Sequence, residues 1–231
     1  MLLTYDAIAK RIDHSLLGPT LTDYELEAGC RLAAEYGVAS VCIKPYAVAL
    51  AAQILRGTGV AVGTTIGFPH GGHATEVKVY ESNRAIDDGA TELDMVVNIG
   101  QAIGGRWDQV RTDIAAVTEA AHARGAIVKV IFENCYLNDD QKVRLCRICG
   151  EVGADYVKTS TGYGTGGATH DDLRLMRKHS PSSVKLKAAG GIRALDAAIA
   201  AAELECDRIG ASKTAEMLEE LKDRLARGTA S

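Results

Sequence analysis

The strongest constraint on the fold is a regular alternation of short apolar β-type segments with longer amphipathic helical segments. The eight β-type segments are residues 12–17, 39–43, 60–66, 91–97, 126–132, 154–158, 184–188 and 207–210. The helical segments between and after them are 22–36, 75–88, 107–124, 139–149, 169–178, 193–202 and 212–226. Glycines 37, 89, 125 and 150 are predicted to end four of these helices, because glycine tolerates the left-handed backbone found there. Eight such units in 231 residues predict an α/β fold, a (β/α)8 TIM barrel.

The main alternative is an open, doubly wound sheet. That fold usually carries a glycine fingerprint directly after its first strand. Here the first β-type segment runs into Leu-Leu-Gly-Pro-Thr, which is not such a fingerprint. No linker, low-complexity tract or block of charge divides the chain, so we expect one barrel domain over residues 1–231.

Composition excludes several classes of partner. The net charge is −4 and the Lys and Arg residues are scattered, which predicts no nucleic-acid or anionic-membrane binding. The apolar runs are far shorter than the roughly 20 residues of a membrane span. The first residues lack the basic and apolar regions of a secretory signal, so we expect a cytoplasmic protein.

The cysteines and two loop histidines invite a metal or redox interpretation that the sequence does not favour. The six cysteines are dispersed, as reduced thiols are. Cys146 and Cys149 form a CxxC pair late in a helix, where no helix N-terminus stabilises a thiolate, so packing is the favoured interpretation. His70 and His73 have a spacing that could ligate a metal, but we assign no third ligand and expect no metal site.

The residues most suggestive of chemistry are lysines at the ends of neighbouring β-type segments. In a barrel, functional groups gather at the C-terminal ends of the strands, and Lys158 and Lys187 end adjacent ones. Two close, buried cations favour loss of one proton, which gives a nucleophilic amine. Lowering a lysine pKa from about 10.4 to about 7 requires roughly 4.6 kcal/mol. Asp94 is the matching carboxylate, as an ion-pair partner, a proton shuttle or both.

Other charged residues lie in or directly after these segments. Glu92 shares a strand face with Asp94 but lies deeper, where a structural role is favoured. Glu133 follows the fifth strand without an assigned role. Whether Lys44 or Lys185 shares the electrostatic work of Lys187 stays open.

Glycine clusters in three loops predict a phosphate site. Barrels commonly bind phosphate with backbone N–H groups of the loops after strands seven and eight. Those loops contain Gly190-Gly191 and Gly210-Ala211-Ser212, and the sixth loop, 161–167, is also glycine-rich. We therefore expect a phosphorylated small molecule as the ligand.

These segments together resemble one known family, the deoxyribose-phosphate aldolases. The resemblance rests on VKTSTGYGTGGAT (157–169), KAAGGIR (187–193), ELDMVVNIG (92–100), RIGAS (208–212) and VGTTIGFPHGGH (62–73). It implies a cofactor-independent class I aldolase that reversibly cleaves 2-deoxyribose 5-phosphate into glyceraldehyde 3-phosphate and acetaldehyde, in deoxyribose catabolism. It also implies a homodimer or homotetramer whose only other partner is the sugar phosphate.

The resemblance assigns roles to individual positions. It makes Lys158 the Schiff-base nucleophile, Lys187 the residue that perturbs the pKa of that amine, and Asp94 a member of the proton relay. The substrate phosphate is expected against Gly162, Gly190, Gly191, Gly210 and Ser212.

The chain departs from the family pattern in three places. Gly18 stands where members often have a lysine, and Lys213 follows Ser212 where a second serine is frequent. Some members end in a tyrosine that assists proton transfer, whereas this chain ends in Thr229-Ala230-Ser231. We expect activity without such a tail-borne donor, at a lower rate.

Three alternatives stay open from the sequence. One is another Schiff-base lyase or a transaldolase acting on a different sugar phosphate. A second is a non-catalytic sugar-phosphate-binding barrel, and a third is a metal-dependent aldolase that uses His70 and His73.

Overall fold

The computed structural model describes residues 3–228, in which eight parallel strands close into a barrel in chain order. The strands are β1 Ile12–Leu16, β2 Ser40–Ile43, β3 Ala61–Ile66, β4 Glu92–Val96, β5 Ile127–Ile131, β6 Tyr156–Lys158, β7 Lys185–Ala188 and β8 Arg208–Ala211. Each strand pairs with the next, and β8 pairs with β1. The predicted (β/α)8 barrel is therefore confirmed.

Helices surround the barrel. They are α1 Tyr5–Ala9, α2 Asp23–Glu35, α3 Val48–Leu55, α4 Thr75–Asp87, α5 Ile99–Ile103, α6 Trp107–His122, α7 Asp139–Val152, α8 His170–His179, α9 Leu195–Glu203 and α10 Thr214–Ala226. A capping box begins α2: the Thr22 side chain accepts from the backbone of Glu25, and the Glu25 side chain accepts from the backbone of Thr22. The parts of the chain at 1–2 and 229–231, where a leader or a tail-borne proton donor was considered, lie outside the described residues.

Three helices were not predicted, for reasons visible in their sequences. The α3 segment, VALAAQIL, has only one polar residue to mark an exposed helix face, so it is not distinguished from a short apolar strand. Helices α1 and α5 have five residues each, too few to display a period.

One predicted helix end is wrong. Gly150 lies inside α7, which continues to Val152 and ends at Gly153 with φ +76°. Gly150 is small for a packing reason, because a Cβ there would lie 2.6 Å from Pro181 Cγ. The predicted ends at Gly37, Gly89 and Gly125 do have positive φ.

The two cysteines of the CxxC pair are buried between the barrel and the surrounding helices. Cys146 and Cys149 are buried in α7, and burial raises the pKa of both thiols, that of Cys146 to about 11. They therefore pack as neutral side chains among the apolar residues between barrel and helices. Within residues 3–228, none of the helices combines the length and the apolar character that crossing a membrane requires.

Candidate active site

The three predicted catalytic residues meet inside the barrel. Lys158 and Lys187 are register partners on β6 and β7. Each Nζ lies 2.7 Å from the same atom, Asp94 Oδ2, which reaches them from β4. All three side chains are almost fully buried. Two amines on one carboxylate oxygen form an arrangement in which a proton can move between neighbours without large side-chain motion.

Below them lies a charged network that the sequence analysis did not identify. Lys129 Nζ lies 2.9 Å from Asp94 Oδ1 and 2.6 Å from Glu92 Oε2. Asp13 Oδ2 lies 2.5 Å from Lys187 Nζ, and its Oδ1 is 2.5 Å from Arg208. Glu92 completes the network with a 2.7 Å contact to Arg208, in the deeper structural position expected for it.

The signal that could have found Lys129 was strand alternation. Lys129 stands between Val128 and Val130, so a period of two turns it away from the helices and into the barrel. Its register partner is Asp94, but that pairing is known only once the barrel has closed.

The charges of this network favour loss of a proton from one of its lysines. In the described barrel interior the network contains four cations, Lys129, Lys158, Lys187 and Arg208, and three carboxylates, Asp13, Glu92 and Asp94. Neutralising one lysine balances these charges.

The pKa shifts select the lysine. Burial lowers the pKa of Lys158, and the nearby Lys187 lowers it further, against the opposing effect of Asp94. Burial also acts to lower the pKa of Lys187, but Asp13 and Asp94 outweigh it and the pKa is raised. Lys158 is therefore the nucleophile candidate and Lys187 the persistent cation.

Two further groups keep stable protonation states beside the lysines. Burial alone would raise the pKa of Asp94, but Lys129, Lys158 and Lys187 hold it well below its ordinary value. Cys42 Sγ lies 3.9 Å from Asp94 Oδ2, and burial raises the pKa of this thiol to about 11. At neutral pH Asp94 is thus a carboxylate and Cys42 a neutral thiol.

Replacing Asp13 by asparagine is expected to lower the free energy of unfolding by about 3 kcal/mol at neutral pH, because it leaves buried cations undercompensated. Burial acts to raise the pKa of Asp13, but Lys129, Lys187 and Arg208 hold it well below the ordinary value. Its contribution is fully present above the unfolded pKa of about 3.9 and is lost as pH falls toward the folded pKa.

Urea denaturation across neutral and acidic pH checks this prediction. The difference between wild type and Asp13→Asn should stay constant at neutral pH and shrink below about pH 4. Asp171→Asn is the matched control, since that side chain is 98% exposed. A difference that grows as the solution becomes more acidic would contradict the assignment.

A pocket of about 360 Å³ opens from the two lysines to the C-terminal face of the barrel. It is lined by Lys158 and Lys187 and by every residue expected at the phosphate, namely Gly162, Gly190, Gly191, Gly210 and Ser212. Asp94 does not line it and lies beneath. Tyr163 and Arg193, to which the sequence assigned no role of their own, also line this pocket.

The glycines make room for a ligand at this mouth. Gly190 has φ +87°, and a Cβ there would lie 2.9 Å from Gly167 Cα. Gly191 has φ +83° with open space where a Cβ would be. Such turns present backbone N–H groups to an anion without a side chain in the way.

Other residues considered from the sequence lie elsewhere. His70 and His73 are exposed, and residues 3–228 contain no group of three His, Cys, Asp or Glu that could hold a metal ion. Lys185 is exposed and sits 5.6 Å above the Tyr156 ring, while Lys44 donates to Leu21 O. Within the described residues, neither lysine forms an ion pair with a carboxylate of the network. Lys213 pairs with Glu216 at 2.9 Å.

Comparison with known proteins finds relatives that cover nearly the whole chain. A deoxyribose-phosphate aldolase of Rhodopirellula baltica is 58% identical over 221 residues, 96% of this chain and 92% of the relative. One of Thermococcus gammatolerans is 48% identical over 214 residues, 92% and 95% of the two chains. The tetrameric deoxyribose phosphate aldolase structure from Aeropyrum pernix superposes with a TM-score of 0.89 at 31% identity, covering 95% of this chain and 92% of that one.

The barrel, the paired lysines and these relatives define a (β/α)8 aldolase, a lyase that acts on carbon–carbon bonds. The family model for DeoC/LacD aldolases matches residues 7–214. This chain belongs to the DeoC/LacD family of aldolases.

Proposed function

We propose that this aldolase reversibly cleaves 2-deoxyribose 5-phosphate to glyceraldehyde 3-phosphate and acetaldehyde through an imine on Lys158. The observation that carries the proposal is the lowered pKa of Lys158 beside the shared Asp94 oxygen, at the base of a pocket with a glycine-lined mouth. The relatives at high identity bear this substrate in their names.

The first half of the proposed reaction forms the imine. Neutral Lys158 attacks the aldehyde carbon of the open-chain sugar, and the resulting carbinolamine loses water to give an iminium. Asp94 and Lys187 supply and accept the protons of this dehydration, because Asp94 Oδ2 lies 2.7 Å from both the reacting amine and Lys187 Nζ and so links the two.

The second half breaks the carbon–carbon bond. Loss of the proton on the C3 hydroxyl releases glyceraldehyde 3-phosphate, and the bonding electrons move into the iminium to give an enamine. Protonation of the enamine carbon and addition of water then release acetaldehyde and restore the Lys158 amine. The proposed route uses no metal or organic cofactor.

The phosphate is proposed to bind at the mouth of the pocket, against Gly162, Gly190, Gly191, Gly210 and Ser212. We expect 2-deoxyribose without phosphate to be cleaved with a kcat/KM at least about 10²-fold lower, since charge-assisted contacts to the phosphate are lost. Coupled assay of both sugars checks this, with other aldose and ketose phosphates alongside. Equal kcat/KM values for deoxyribose with and without phosphate would contradict the phosphate site. A higher kcat/KM for another sugar phosphate would contradict the proposed substrate.

We also propose that residues 1–231 act as one domain, in the cytoplasm, as a homodimer or homotetramer. The Aeropyrum pernix relative is tetrameric. Tyr24 and Tyr80 are 81% and 73% exposed here, as side chains that pack against another subunit can be. Light scattering of the purified protein measures the assembly, and a monomer at micromolar concentration would contradict it.

A further inference from the structure

Glu133 is a buried carboxylate beside the site that the proposed reaction does not use. It follows β5, is 2% exposed, and has φ 59° and ψ 63°, the left-handed region that favours glycine. The residues on either side are fixed to β6 and its continuation: Phe132 N donates to Lys158 O and Asn134 N to Thr159 O, both at 3.0 Å. Glu133 is thus held in place next to the strand that carries Lys158.

Both carboxylate oxygens of Glu133 accept hydrogen bonds from a single residue, Thr161. The Thr161 N–H donates to Oε1 at 3.1 Å and its hydroxyl donates to Oε2. In the described chain Glu133 is in no ion pair, so its side chain depends on these two hydrogen bonds from Thr161 for its polar contacts. An apolar side chain would fill this place at lower cost if packing were the only need.

Thr161 links Glu133 to other residues of the pocket wall through further hydrogen bonds. Its hydroxyl oxygen also accepts from Tyr163 N at 2.9 Å, and Tyr163 Oη donates to Leu17 O at 2.7 Å, in the loop after β1. Thr161, Gly162 and Tyr163 all line the pocket. The chain of hydrogen bonds therefore runs from the end of β5 across the pocket wall to the other side of its mouth.

We infer that Glu133 is a positioning residue, which fixes the wall Thr161–Gly162–Tyr163 at the distance from Lys158 that lets phosphate and aldehyde bind together. The inference rests on the proposed function, because it concerns the phosphorylated substrate. A misplaced wall weakens binding of the phosphate while leaving the amine and its network intact, since within residues 3–228 no hydrogen bond or ion pair joins the Glu133 side chain to the network.

The experiment compares Glu133→Ala, Glu133→Gly and Glu133→Gln. For each, KM and kcat are measured with 2-deoxyribose 5-phosphate, and the rate of cyanoborohydride trapping is measured with acetaldehyde, which has no phosphate. We expect Glu133→Ala to raise KM about tenfold and change the trapping rate by less than about twofold. Glu133→Gly should raise KM to the same extent, because it also lacks the carboxylate, although glycine adopts the left-handed backbone at this position without strain. Glu133→Gln should lie between, because its amide oxygen can still accept from the Thr161 N–H.

Asp207→Asn is the matched control. Asp207 Oδ2 also accepts a backbone N–H, that of Leu186 at 3.0 Å, but ahead of β8 at the opposite end of the barrel. The Asp207→Asn variant should have the KM of the wild type. The inference is overturned if the wild type cleaves the sugar phosphate and both Glu133→Ala and Glu133→Gly have the wild-type KM. The proposed function would then still hold. Trapping that falls as steeply as cleavage also overturns it, and a wild type without cleavage overturns the proposed function and the inference with it.

Discussion

Replacing Lys158 by methionine should abolish cleavage, with kcat/KM at least about 10³-fold lower, because no other amine can form the imine at the base of the pocket. The neighbouring Lys187 cannot substitute, since Asp13 and Asp94 raise its pKa and keep it protonated. Steady-state cleavage of 2-deoxyribose 5-phosphate measures the loss.

The same substitution should not unfold the protein. Removing Lys158 leaves three cations facing three carboxylates, and methionine fills much of the same volume without a buried charge. The melting temperature should equal or exceed that of the wild type. Lys185→Met is the matched control, because Lys185 lies on β7 but is exposed and outside the network; it should keep full activity. Substantial activity in Lys158→Met, or its loss in Lys185→Met, would contradict this account.

Replacing Lys187 by methionine has the second largest expected effect. We expect kcat to fall about 10²-fold, since a proton-transfer group beside the reacting amine is lost. The sign of the pH effect follows from the charge: Lys187 lowers the pKa of Lys158, so its removal raises that pKa. Less of Lys158 is then neutral at any given pH, and the acid limb of the rate profile should move to higher pH.

The trapping rate with acetaldehyde, followed from neutral to alkaline pH, checks this shift without relying on the phosphate site. Lys185→Met again serves as the control, with a profile equal to that of the wild type. An unchanged acid limb in Lys187→Met, or one moved to lower pH, would show that Lys187 does not set the protonation of Lys158.

The barrel could be predicted from the sequence because its units repeat. Each of the eight β-type segments coincides with an observed strand to within two residues at either end, since alternating apolar strands and amphipathic helices leave little choice of fold. The errors occur where local signals are weak. Helix α3 has almost no polar residues to mark its exposed face, and Gly150 is small because of Pro181, which is distant in sequence.

The part of the site that lies at the strand ends could be predicted from the sequence. Lys158, Lys187 and the phosphate glycines stand at or after strand ends, where barrel sites lie. Lys129, Asp13 and Arg208 lie deeper, and their partners depend on barrel register. Glu133 was noticed only as the residue after β5, because its importance comes from Thr161, 28 positions away.

Borohydride trapping with acetaldehyde, followed by peptide mass mapping, tests the central claim most directly. The account predicts one added ethyl group on Lys158 and none in Lys158→Met. An adduct on Lys187 would reverse the roles of the two lysines. No adduct on the folded wild-type enzyme would contradict the imine mechanism itself.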